Sequence, residues 1–98
     1  MTRRKVKTPR VVFRKLGREQ AWGLATCDPA RPLVEIDTRL SPARELEVAV
    51  HESLHIALPE MPEKEIDRVG KAVARVLWKI NYRRVLLGKH TTPVRISK

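Results

Sequence analysis

"LVEIDTRLSPARELEVAVHESLHIALPEMP", residues 33–62, changes its periodicity halfway along, and that change decides the fold class. Over the first eight residues Val34, Ile36, Thr38 and Leu40 alternate with Glu35, Asp37 and Arg39, the period of a half-buried strand. From Ser41 the period lengthens. Ser41 suits a helix N-cap, and Pro42 fits the first helical position, where its missing N–H costs nothing. Leu46, Ala49, Val50, Ser53, Leu54 and Ala57 then recur at three- and four-residue intervals and predict the core face of a helix. Pro59 stops that helix at about Ala57 or Leu58.

Two weaker strands precede this stretch. "RVVFRKL" (10–16) is bounded by Pro9 and Gly17, and "AWGLATC" (21–27) is interrupted by Gly23 and closed by the turn "CDPARP". After it, Pro62 opens a second helix, "PEKEIDRVGKAVARVLWKINYR" (62–83), with Ile66, Val69, Val73, Val76, Leu77 and Ile80 as its expected buried stripe. Arg68, Lys71, Arg75 and Lys79 form its basic outer row. The link between the helices is short, which predicts an antiparallel hairpin. The expected fold is therefore α+β: short N-terminal strands in a small sheet, then two helices. Residues 1–18 read as a basic arm with the first strand, 19–84 as the core, and 85–98 as a basic tail with no assigned element.

With 98 residues the chain is near the lower limit for one hydrophobic core, and its four aromatics leave that core to Val, Leu, Ile and Ala. No apolar run approaches the ~18 residues of a membrane span, so no membrane partner is expected. The basic N-terminus lacks the apolar segment of a secretory signal. A single cysteine, Cys27, excludes an internal disulfide and fits a cytoplasmic location. The net charge of +10 is concentrated at the ends: eight basic residues and no acid in 1–18, six and none in 79–98. Such ends keep a small protein soluble or bind a polyanion, and a nucleic acid is the candidate partner. Neither end interleaves bases with aromatics, which argues against stacking on single strands.

The chemistry is concentrated in "HESLH" (51–55). Helical positions i and i+4 lie on one face, so His51 and His55 project together and can close on one Zn²⁺. Glu52 lies about 100° further round the helix, able to reach a water in the metal's open position and serve as general base. This is the H-E-x-x-H arrangement of zinc metallopeptidases. A solvated pair of surface histidines is the bland alternative. Against it, His51 and His55 share a stripe with Val48 and Leu58 beside the core face, where an inward-leaning imidazole needs a partner. The alternating strand just before the helix stands where a peptide-binding edge would.

A catalytic zinc takes three protein ligands and keeps one position for water. Glu60, Glu63, Glu65, Asp67, His90 and Cys27 are the candidates for the third. In a helical hairpin the first turns of the second helix pass beside His55, which favours an acid there. Glu65 lies nearer the centre of the expected buried stripe. Asp67 is a candidate for orienting a ligand histidine, and Tyr82 and Arg83 for stabilising an oxyanion. His90 reads as solvated and Cys27 as a small buried hydrophobe.

Residues 21–84, with H-E-x-x-H at 51–55 and the run "ARVLW…NYR" (Ala74–Trp78, Asn81–Arg83), resemble a group of small phage and bacterial zinc metallopeptidases, stripped-down zincins. The resemblance implies His51 and His55 as metal ligands and Glu52 as the base. It favours Glu63, the acid that opens the second helix in such proteins, over the runner-up Glu65. Ser53-Leu54 departs from the two aliphatics common there. The expectation is a Zn²⁺-dependent peptidase acting on an unspecified peptide or protein. The rival is a small basic phage-type protein that binds nucleic acid or a host protein, with zinc structural or absent.

Overall fold

In the computed structural model, which describes residues 7–17 and 21–85, three short strands precede two helices: β1 (Arg10–Phe13), β2 (Gly23–Thr26), β3 (Leu33–Ile36), α1 (Pro42–Ala57) and α2 (Glu63–Lys79). The α+β arrangement expected from the sequence is the one present. The sheet order is β1-β3-β2, with β3 parallel to β1 and antiparallel to β2. The alternating strand is thus the centre of the sheet, and the expectation that it is an edge is overturned: β1 and β2 flank it. Alternation still sets its faces. Val34 and Ile36 are buried against α1 with Val48, Phe13, Leu40, Ala49 and Ile56. Glu35 points the other way and accepts a 2.6 Å hydrogen bond from Arg14.

β3 stops four residues short of Leu40 because Asp37 turns the chain. Its carboxylate accepts hydrogen bonds from the backbone N–H of Arg39 at 2.8 Å, from the Arg39 guanidinium at 2.9 and 2.7 Å, and from the N–H of Leu16 at 2.9 Å. An aspartate that captures the N–H two residues on offers the backbone a turn in place of the ladder. Arg39 holds the fully buried carboxyl far below the usual carboxylate range. The Leu16 bond ties the segment after β1 to the end of β3.

α1 starts and ends where its sequence says. The Ser41 hydroxyl accepts from Arg44 N–H at 3.4 Å, and the last turn closes by Leu58 N–H to the Leu54 carbonyl at 2.7 Å, one residue before Pro59. Its faces differ from expectation. Val48, outside the expected core set, is its buried residue, while Ser53 and Ala57 are exposed. The helix is a middle layer: one side meets the sheet, another meets α2, and the side bearing Ser53 and Ala57 meets neither.

α2 also ends early, at Lys79 rather than Arg83, because Asn81 adopts a left-handed φ of 71° just past the cap. Among the described elements α2 packs on α1 alone. A single partner helix hides only a narrow seam, here Ile66, Gly70 and Ala74 at four-residue intervals. Gly70 lies close to α1: a Cβ there would sit 3.5 Å from the His51 Cα. Val73, Val76 and Ile80, expected in the buried stripe, are therefore exposed. No helix of the described residues is long and apolar enough to cross a membrane.

Candidate metal centre

α1 turns His51 and His55 into the crevice between the two helices, with their rings 5.0 Å apart in an edge-on arrangement. The antiparallel return of the chain through Pro59 and Pro62 brings the first residue of α2 opposite them. One Glu63 oxygen lies 3.0 Å from His51 Nε2 and the other 2.8 Å from His55 Nε2. One ring nitrogen of each histidine and one Glu63 carboxylate oxygen all lie within 4.8 Å of one another. A tetrahedral ion with bonds of ~2.0–2.1 Å holds its ligands roughly 3.3 Å apart, a spacing of the same order as this group's. Glu63 is largely exposed, which leaves the solvent side of the triad open.

The other candidates stand elsewhere. Glu65 is turned along α2 and paired with Arg68 at 2.7 Å. Glu60 is exposed in the interhelical turn. Asp67 approaches His51 Nδ1 only to 3.8 Å, beyond hydrogen-bond reach, and pairs with Lys71 at 3.1 Å. Cys27 is exposed, not the buried hydrophobe expected, because β2 ends one residue before it at the open end of α1; its thiol donates to the His55 carbonyl at 3.4 Å. Arg83 stacks 3.4 Å from the Trp78 ring centroid and bonds the Asn81 side chain, so its geometry does not direct it toward the histidines. Tyr82 is exposed. His90 lies outside the described residues, as do the basic segments 1–6 and 86–98.

Glu52 lies on the sheet side of His51 and makes no hydrogen bond to the described residues. Partial burial raises its pKa; the neighbouring imidazoles act the other way, and Glu63 adds to the rise. A desolvated carboxylate with unoccupied lone pairs is a stronger proton acceptor than a solvated one. Its burial has a specific origin. A Cβ on Gly23 would come within 2.9 Å of the Glu52 Cγ and 2.5 Å of the Val48 Cγ1, so only glycine lets β2 press this closely onto α1.

Glu52 and His51 line a cleft of about 260 Å³ with Trp22 and Gly23 from the sheet and Asp67 and Lys71 from α2. Trp22, Gly23 and Lys71 are not among the site residues expected from the sequence. The one available signal was a glycine interrupting a strand, which marks close approach of another element. Among the described strands β2 is also an edge, paired on one side alone. The Asp37 N–H donates to the Trp22 carbonyl at 2.9 Å, so antiparallel alternation turns the backbone groups of Gly23 and Ala25 away from β3. No protein family, curated protein or solved structure matches the chain.

Proposed function

We propose that the protein is a zinc-dependent peptidase whose metal is held by His51, His55 and Glu63 and whose general base is Glu52. The observation that carries the reading is the meeting of Glu63 with both Nε2 atoms at 3.0 and 2.8 Å, beside a carboxylate with a raised pKa. A zinc ion held by His51, His55 and Glu63 would supply Lewis acidity for a carbonyl oxygen and would lower the pKa of a water to ~7. Glu52 takes the proton from the attacking water and returns it to the leaving amine. The outer edge of β2, unpaired among the described strands, offers Gly23 and Ala25 backbone groups to an extended peptide, in the manner of an added strand. The lone Cys27 accords with a reducing cytoplasm.

The test separates ligand from base. Glu52→Gln keeps the side chain's shape and removes its basicity, so zinc content stays at the wild-type level. Cleavage of a peptide library, read by mass spectrometry, falls by ~10²-fold or more. Loss of zinc in Glu52→Gln, or unchanged cleavage, contradicts the assignment.

A further inference from the structure

The outer face of α2 carries a second feature that the metal centre does not use. Val69, Val73, Val76 and Ile80 are spaced four, three and four residues apart, which at about 100° per residue places them within a stripe about 60° wide. This is the a/d repeat by which one helix seats the knobs of another. Val73, Val76 and Ile80 are 41%, 60% and 57% exposed, and none of the other described elements packs on this side of α2. Charge runs beside the stripe. Arg68, Arg75 and Lys79 form a row along one flank, and Arg75 and Lys79 make no ion pair with the described residues.

The chemistry of the rim selects the occupant. The chain's own C-terminal segment, 86–98, carries Lys89, Arg95 and Lys98 and no acid, so it brings like charge to a basic rim. A second copy brings a net charge of +10 to another +10. A partner with acids flanking its own apolar stripe satisfies both features at once: apolar burial along the valines and opposite charge along Arg75 and Lys79. We infer that the Val69–Val73–Val76–Ile80 stripe with its Arg75/Lys79 rim is a docking site for an acidic amphipathic helix of another protein.

The experiment uses the full chain and a synthetic helical peptide with leucines at a and d positions and glutamates at e and g, followed by fluorescence anisotropy. Wild type binds it. Val73→Ser with Val76→Ser, exposed changes that leave the seam with α1 intact, weaken binding at least ~10-fold, as does Arg75→Glu with Lys79→Glu. Circular dichroism and zinc content stay at wild-type values in both variants, which keeps loss of docking distinct from loss of fold. The inference is overturned by absence of binding in wild type or by binding indifferent to the stripe. It is equally overturned by equal affinity for a lysine version of the peptide, by a wild-type dimer that Val73→Ser/Val76→Ser dissociates, or by stripe-dependent binding to phosphatidylglycerol vesicles that exceeds binding to the peptide.

Discussion

Gly23 and Asp37 each hold two elements together, one by lacking a side chain and the other by its charge. At Gly23 the nearest side-chain carbon of α1 would be only 2.5 Å from an added Cβ. Gly23→Ala therefore forces β2 off α1 and is expected to destabilise the fold by ~1–3 kcal/mol in urea denaturation. A midpoint equal to wild type would mean that the strand yields freely. Asp37 contributes through its charge. Its folded pKa is depressed by Arg39, so the stabilisation is present above the ordinary carboxylate range and is lost as pH falls through that range toward the folded value. Asp37→Asn is accordingly less stable than wild type at neutral pH, and the gap narrows as the solution is acidified. Denaturation curves across the acid range check this, and a gap independent of pH contradicts it.

At the scale of elements, the seam between α1 and α2 sets how closely Glu63 approaches the histidines. Gly70 sits in that seam, with space for one methyl: an alanine Cβ would meet the His51 Cα at 3.5 Å and the Leu54 Cδ1 at 3.6 Å. Gly70→Ala gains helix propensity of up to ~1 kcal/mol and is expected to raise the melting temperature by several degrees without altering zinc content. Gly70→Leu has no such room, separates the helices and weakens zinc binding, which metal titration of the two variants distinguishes. The elements themselves were legible from local signals: period-two alternation in β3, Ser41 and Pro42 at the head of α1, Pro59 at its end. What local signals do not carry is which neighbours an element acquires. The expected stripe of α2 counted every apolar residue as inward, whereas a helix with one partner buries only Ile66, Gly70 and Ala74. β3 read as an edge because alternation reports one covered face and says nothing of the two lateral neighbours. Among the candidate site residues, H-E-x-x-H spacing brought His51, Glu52 and His55 forward. Between the acids of α2, helical angles leaned to Glu65 and the resemblance to Glu63; it is Glu63 that lies against both histidines, while Glu65 is turned to Arg68.

At the scale of the molecule, the described residues form three layers, sheet, α1 and α2, with the His51–His55–Glu63 crevice on one flank of the middle helix and the exposed valine stripe on the outer one. Two basic residues near the chain ends serve the fold: Arg84 pairs with Glu45 at 3.0 Å and lies over Phe13, and Arg14 pairs with Glu35. Polyanion binding, the rival reading, rests on residues 1–18 and 79–98, of which 1–6, 18 and 86–98 lie outside the described residues. The peptidase reading leans on one geometric meeting of α1 with α2. Zinc per chain after gel filtration, measured in wild type and four variants, tests that meeting directly. The account predicts close to one zinc in wild type and in Glu65→Ala, and loss of it in His51→Ala, His55→Ala and Glu63→Ala, with the melting temperature of wild type falling on chelation. Equal zinc in all five proteins, or retention by Glu63→Ala with loss in Glu65→Ala, would contradict it.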